Sequence, residues 1–266
     1  MLSEIKKISS LLLSVAFSSI GFIASITVTV LAAREVSSNP LFVGFPNAVG
    51  VGGAVLGTRM IYLISKNNSQ LNALAFTFLI GAFGGAIMFY SLIVDSFVLL
   101  LFGAFILGIG QSATLQTRYA ASFVASEKFK ATALSLAVWF SVFGSVFGPR
   151  MVGSYSNFFE NIFNSELIVG YVIALVGMLF AASSLFIFTS KKSILRSPSN
   201  LESELNNQNS NKKNGNLLSL LLVLNHFTMV VIMSATPLHI QDIGETVQLV
   251  GIIISYHTLG MFLFSP

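Results

Sequence analysis

The chain has 266 residues, of which 54% are hydrophobic and only 9% are charged, and its mean hydropathy is +0.83. Soluble domains carry about a quarter charged residues, so this composition excludes a water-soluble globular protein. The net charge of +4 is no signal for nucleic-acid binding, and the absence of cysteine excludes disulfides, zinc-cysteine sites and thiolate catalysis.

Eight apolar stretches with few charges follow one another along the chain. A helix needs about 20 apolar residues to cross roughly 30 Å of hydrocarbon, and each stretch meets or nearly meets that length. Barrel strands would instead alternate apolar and polar residues over about ten positions. The predicted helices are Ile8–Ala33, Leu41–Ser65, Leu71–Val94, Ser96–Thr117, Ala131–Gly153, Leu167–Ser190, Leu217–Ile240 and Leu249–Pro266. The sequence therefore predicts an all-α polytopic membrane protein.

The positive charges are divided unequally between the two sets of loops, and this predicts the orientation. One set holds Lys6, Lys7, Lys66, Arg118, Lys128, Lys130, Lys191, Lys192, Arg196, Lys212 and Lys213. The other set holds only Arg34 and Arg150, together with most of the acidic residues. We therefore expect a multi-pass protein of the cell (plasma or inner) membrane with a cytoplasmic N-terminus.

A change of composition separates six predicted helices from the last two. Residues 191–216 are rich in Lys, Asn, Ser and Glu, which is typical of a solvated linker. We expect a six-helix half at 1–190, a cytoplasmic linker at 191–216, and helices 7 and 8 of an incomplete second half at 217–266. A shift of 207 positions aligns helices 1 and 2 with helices 7 and 8, pairing Thr29 with Thr236 and Gly53 with Gly260. That spacing favours parallel six-helix repeats.

Glycines three or four residues apart occur in three of the predicted helices. Small residues at this spacing let membrane helices approach closely, either as static packing or as surfaces that slide during a transport cycle. They are Gly50, Gly53 and Gly57 in helix 2, Gly81, Gly84 and Gly85 in helix 3, and Gly103, Gly108 and Gly110 in helix 4.

The fifth predicted helix carries the most specific motif. Its small residues form a ridge, and Pro149 removes a backbone donor and bends the helix. The segment resembles the helix-5 signature of the major facilitator superfamily, whose Gly, Gly-Pro and final Gly positions are matched by Gly144, Gly148, Pro149 and Gly153. Ser135 and Val152 stand where two further glycines of the signature would be. In that family the motif is associated with antiporters, so the resemblance implies export.

Two further stretches are similar to the same superfamily. The run Gly108–Gln111 followed by Gln116–Ala121 resembles helix 4 and its cytoplasmic loop, and Thr236–His239 with Val250–Met261 resembles helices 7 and 8. The loop after helix 2 departs from the family pattern because it has no acidic residue. The resemblance implies transport of a small solute by alternating access.

Ionisable and amide groups deep in apolar helices are candidates for function, because burying them in hydrocarbon is costly. Asn225, His226 and His257 are candidates for substrate binding or proton coupling, since histidine titrates near physiological pH. The alternative for each histidine is a neutral ring hydrogen-bonded to a neighbouring helix. Arg59 and Arg118 are candidates at the cytoplasmic end, where Arg59 either contacts substrate or anchors helix 2 at the interface.

The sequence carries no phosphate loop, no His-Glu-x-x-His and no catalytic triad, so we predict no enzyme, no cofactor and no metal. The predicted function is secondary transport, with proton-coupled export as the expected mode and the lipid bilayer, a small molecule and protons as partners. The alternatives are a non-transporting scaffold or receptor-like subunit, or an inactive product of an interrupted gene. We also expect that the chain is a fragment and that a downstream-encoded segment supplies the remaining helices of the second half.

Overall fold

In a computed structural model, which describes residues 2–37, 39–188 and 212–262, these residues are mainly helical, and no strand occurs among them. The helices are α1 (Leu2–Val36), α2 (Phe45–Asn67), α3 (Gln70–Ile93), α4 (Phe97–Val124), α5 (Lys130–Phe163), α6 (Ile168–Phe188), α7 (Lys212–Asp242) and α8 (Val247–Phe262). Two single 3-10 turns, Pro40–Phe42 and Glu127–Phe129, lie in the α1–α2 and α4–α5 connections. Seven of the helices are long and apolar enough to cross a membrane, and α8 contains a shorter apolar run, Val247–Gly260. The predicted all-α polytopic class is confirmed.

Helix α1 lies at the centre of the bundle. It packs against α4, α5 and α6, and more lightly against α2 and α7. Most of its length is apolar on every side, which is typical of a helix surrounded by other helices. Most of its serine and threonine hydroxyls turn back onto the helix, as in the 2.7 Å bond that Thr29 Oγ1 donates to the Ser25 carbonyl. Polar residues are therefore accommodated inside an apolar core.

Close backbone contact between helices depends on the glycines singled out in the sequence. A methyl group built on Gly53 of α2 would overlap the Phe105 carbonyl of α4, and one on Gly108 of α4 would overlap the Gly50 carbonyl of α2. On α3, Gly84 faces the backbone of Leu107 in the same way. Because no Cβ separates them, these helices gain dispersion contacts that lipid cannot replace.

The helix-5 motif connects two different neighbours of α5. Gly144 and Gly148 face Ser19 and Ile20 of α1, whereas Gly153 would place a Cβ 2.9 Å from the Gln248 Cα of α8. Pro149 lies inside the helix, and its carbonyl faces Gly251 of α8. Helix α5 therefore joins α8 to the six-helix unit.

The antiparallel connections give the bundle two chemically different ends. The basic end, defined by Lys66, Lys128 and Lys130, contains the α2–α3 and α4–α5 connections. The acidic end, defined by Glu35, Asp95, Glu160, Glu166, Asp242 and Glu245, contains the α1–α2, α3–α4, α5–α6 and α7–α8 connections. At the acidic end Arg34 pairs with Asp242 at 2.5 Å and contacts Gln241 Oε1 at 3.4 Å. Gln241 is the position that the 207-residue shift assigns to Arg34, and a contact between equivalent positions is what a two-fold axis produces.

Several helices continue beyond the predicted boundaries, and the predicted outer loop at 154–166 is wrong for most of its length. Helix α5 continues to Phe163 because no glycine or proline interrupts the chain after Gly153, and it ends where Asn164 adopts the left-handed conformation with φ of 57°. Helix α4 continues to Val124, so Arg118 lies within a helix and not in a loop. Arg34 and Arg150, which the prediction of orientation counted with one set of loops, also lie in helices. Most of the predicted linker lies outside the described residues, and α7 begins at Lys212, within the span assigned to that linker.

Candidate functional site

A cavity lies between α1, α2, α4 and α7, near the middle of the bundle. Its upper part, toward the acidic end, has a volume of about 100 Å³. The polar residues that line this part are Ser25 and Thr29 of α1, Asn47 of α2, Gln111 of α4 and Ser234 of α7. Apolar side chains, among them Phe22, Met88 and Met229, make up most of the remaining wall. The result is an apolar chamber with a few hydrogen-bonding groups, which is the usual character of a small-molecule site.

The lower part of the cavity extends toward the basic end and has a volume of about 370 Å³. Six residues line both parts, so the two parts are adjacent; they are Phe22, Ile26, Val51, Gln111, Met229 and Met233. The polar residues of the lower part are Ser19, Thr58, Gln111, Thr114, Arg118 and Thr258. Arg118 is the only charged residue among the described lining residues of either part.

One face of α4 supplies three of the six polar residues of the lower part. Gln111, Thr114, Leu115 and Arg118 follow the helical spacing of three, four and seven residues, so their side chains share a face. At about 1.5 Å per residue, the Cα atoms of Gln111 and Arg118 are separated by about 10 Å along the helix. The glycine contacts between α2 and α4 keep this face close to α2, and α7 covers it with Met229 and Met233.

Two polar contacts close the cavity at the acidic end. Asn47 Nδ2 donates to Ser234 Oγ at 3.0 Å, which joins α2 to α7 at the top of the chamber. Beyond it, the Arg34–Asp242 ion pair joins α1 to α7. Toward the basic end of α7, the side chains at 217–225 and Phe227 are exposed, with Phe227 at 66%. Polar contacts thus join α7 to the bundle at the acidic end, whereas these side chains at its other end are uncovered.

The structure separates the residues proposed from the sequence into three groups. Arg118 lines the cavity, whereas Arg59 is exposed on α2 with its guanidinium 5.4 Å from the Tyr62 ring. Asn225 and His257 are exposed and do not line the cavity, although Thr258, next to His257, does. The His226 side chain lies outside what the structure describes. Gly144, Gly148, Pro149 and Gly153 form helix contacts.

The sequence analysis assigned no role to several groups that line the cavity. Asn47, Gln111 and Thr114 are examples; Asn47 stands in a long apolar run, and Gln111 directly follows one. The signal for Asn47 and Gln111 was present, because an amide inside a membrane helix is costly unless it is hydrogen-bonded or functional. The sequence analysis selected histidines as proton-coupling candidates because their side chains can exchange protons. That property does not indicate the direction in which a side chain points.

Comparison with curated proteins identifies two relatives from Bacillus subtilis (strain 168). The chain is 27% identical over 261 residues to "Uncharacterized MFS-type transporter YdeG", covering 94% of this chain and 61% of the relative. It is 28% identical over 272 residues to "Uncharacterized MFS-type transporter YddS", covering 98% of this chain and 62% of the relative.

The chain is related to the transporters of the major facilitator superfamily. The resemblance drawn from helices 4, 5, 7 and 8 is thereby confirmed. The chain spans 61% and 62% of the lengths of these two MFS-type relatives. No family model matches the chain, and no solved structure matches it.

Proposed function

We propose that the chain forms part of a secondary active transporter, and that the cavity between α1, α2, α4 and α7 is the path of a small solute. The observation that carries this proposal is the cavity with its two adjacent parts, which places amide and hydroxyl groups in the middle of an otherwise apolar bundle. Membrane proteins keep such groups where they line a cavity or pair with each other. The relationship to MFS-type transporters supports the same function.

The transport mode that we propose is alternating access. The acidic end is closed by two polar contacts, Asn47 with Ser234 and Arg34 with Asp242, and both join α7 to the first two helices. Polar contacts at an exposed end are weak enough to break and re-form as α7 moves. Opening there with closure at the basic end would expose the cavity to the opposite side of the membrane.

The coupling that we propose is to protons, in the direction of export, with the basic end facing the cytoplasm of a cell (plasma or inner) membrane. His257 is next to Thr258 of the cavity wall, and His226 lies one turn from Met229 along α7. Histidine side chains are common proton carriers in proteins. The resemblance of helix 5 to antiporters supports export, and the concentration of Lys and Arg at the basic end supports the orientation.

Further helices, encoded downstream, are proposed to cover the exposed sides of α7 and α8 in the complete transporter. Asn225 and His257 are exposed in this chain, and facing lipid costs such groups on the order of 1 kcal/mol each. Contact with additional helices would satisfy them.

Alternating access can be tested without knowing the solute, because the chain contains no cysteine and single cysteines have no background. Ser25→Cys reports the upper part of the cavity and Thr58→Cys the lower part. Each variant, in membranes, is treated with an impermeant methanethiosulfonate from either side, with and without a proton gradient. We expect Ser25→Cys to react with reagent added to either side of the membrane. The proton gradient should change the ratio of labelling from the two sides.

Two reference positions calibrate this experiment. Lys66→Cys marks the basic end and Ser37→Cys marks the acidic end, so each should react from one side only. Reaction of Lys66→Cys from outside the cell would overturn the proposed orientation. Reaction of Ser25→Cys from one side under every gradient would contradict alternating access and favour a non-transporting membrane protein.

Proton coupling is tested separately with His226→Ala and His257→Ala. We expect at least one of them to remove the effect of the gradient on Ser25→Cys labelling while insertion stays normal. His239→Ala, an exposed histidine at the acidic end of α7, is the matched control. Gradient dependence retained in both test variants would place coupling outside these two residues.

A further inference from the structure

The charge and the unsatisfied hydroxyl groups of the lower cavity indicate the kind of solute it binds. Its described lining residues include one cation, Arg118, and no Asp or Glu. The Arg118 guanidinium lies at the end of the α4 face that continues through Thr114 to Gln111. A cavity with a single positive charge in low-dielectric surroundings attracts anions and repels cations.

Two buried hydroxyl groups that line the same part of the cavity as Arg118 point to a ligand independently of this charge. Thr114 and Ser19 are 4% and 3% exposed, and both line the lower cavity. Within the described chain, Thr114 Oγ1 and Ser19 Oγ make no hydrogen bond, whereas most other buried hydroxyls in the bundle bond to a helix carbonyl. A buried polar group without a partner is costly, so these two oxygens are positioned for a group that enters the cavity.

We propose that the cavity binds an amphipathic organic anion, with its carboxylate or phosphate at Arg118, Thr114 and Ser19. The apolar body of the solute lies toward Phe22, Met229 and Met233, and its far end reaches Gln111, about 10 Å from Arg118 along α4. Arg is suited to this role because its planar guanidinium donates two parallel hydrogen bonds to such groups. This inference rests on the proposed function and specifies its substrate class.

The test compares three probes that share one body and one spacer and differ in the terminal group. They are dansyl-aminohexanoate, its primary amide, and the corresponding dansyl-alkylammonium. Saturable binding to the purified chain is measured by displacement with the same compound lacking the dansyl group. We expect the carboxylate to bind about tenfold more tightly than the amide or better, a ratio that charge-assisted hydrogen bonds supply, and the ammonium to show no saturable binding.

Substitutions then show which residues cause the preference for the carboxylate probe. Arg118→Gln should lower carboxylate affinity to that of the amide while leaving amide binding unchanged, and Arg118→Lys should retain most of the preference. Thr114→Val, which removes the hydroxyl at constant shape, should weaken carboxylate binding by about three- to tenfold. Arg150→Gln, the same chemical change on an exposed residue of α5, is the matched control.

The outcomes separate this inference from the proposed function. Equal binding of the three probes, or a preference that survives in Arg118→Gln, overturns the anion site even if cysteine labelling shows alternating access. A preference lost in Arg118→Gln and kept in Arg150→Gln establishes the site even if labelling does not alternate. The same chemistry can come from a soluble acid or from an anionic lipid, so binding is repeated in nanodiscs with and without phosphatidylglycerol. If that lipid competes with the probe, the membrane is the source of the bound anion. If it does not compete, the aqueous phase is the source.

Discussion

At the scale of single residues, the contact between α2 and α4 has no room for one additional carbon atom. A methyl group at position 53 would overlap the Phe105 carbonyl, whereas one at position 52 meets no atom within 4 Å. We predict that Gly53→Ala destabilises the protein by about 1–3 kcal/mol, the usual cost of overpacking, and that Gly52→Ala does not. Thermal unfolding followed by size-exclusion chromatography in detergent measures both. Equal melting temperatures would show that α2 and α4 do not approach this closely.

A second prediction at this scale concerns Glu166, in the short connection between α5 and α6. Burial, and then the nearby charge of Glu160, raise the pKa of this carboxyl above its ordinary value of 4.5. The folded protein therefore holds the proton to higher pH than the unfolded chain does. Its contribution to stability is fully present below pH 4.5 and is lost as the pH rises through the raised pKa.

Glu166→Gln removes this titration, so the variant should be more stable than the parent above the raised pKa. The gain should stay below about 1 kcal/mol because the carboxyl is only partly buried and solvent screens it. Melting temperatures between pH 4 and pH 8 provide the measurement, with Glu245→Gln in the exposed α7–α8 connection as control. A variant less stable than the parent at neutral pH would contradict the sign of the pKa shift.

At the scale of helices, the Arg34–Asp242 pair joins α1 to α7 where the cavity is closed. Both side chains are about half exposed, at 47% and 54%, so the pair contributes between about 0 and 1 kcal/mol. That is enough to change the population of the closed state up to about fivefold. We predict that Arg34→Gln and Asp242→Asn each increase labelling of Ser25→Cys from the acidic end by up to that factor.

The exchange variant, Arg34→Asp with Asp242→Arg, should restore the original labelling rate. Lys130→Gln is the control, because Lys130 pairs with Glu127 at 2.8 Å at the opposite end of the bundle. An increase in Lys130→Gln equal to that in Arg34→Gln would mean that surface charge in general, and not this contact, controls access.

The helices themselves were largely predictable from the sequence, whereas their ends and facing sides were not. Apolar runs identify each membrane segment, but hydropathy falls where a helix leaves the hydrocarbon, and the backbone of α5 remains helical to Phe163. Hydrophobic periodicity identifies a buried face only when another face is polar. On α4 and α7 the polar residues are not confined to one side of the helix, so the sequence did not indicate that Gln111 and Arg118 face inward while Asn225 faces outward.

At the scale of the whole molecule, close helix packing could be predicted from the glycines, because a small residue permits a close approach whichever helix is the partner. The sequence marked Gly144, Gly148 and Gly153 as a packing surface, and the structure supplies the partners, α1 and α8. The cavity was not predictable in this way. It arises from four helices separated in sequence, and no single segment contains the pattern of its wall.

The central claim is that the two ends of the cavity open alternately, and distances between spin labels test it most directly. One pair, Asn39→Cys with Ile243→Cys, spans the acidic end between the α1–α2 and α7–α8 connections. The other, Ser122→Cys with Gly215→Cys, spans the basic end between α4 and α7. Each pair is measured by double electron-electron resonance in nanodiscs at pH 5 and pH 8, with and without dansyl-aminohexanoate. Alternating access predicts two distance populations at each end, with the acidic end lengthening under the condition that shortens the basic end. A single unchanged distance at both ends, or changes of the same sign at both, would contradict it.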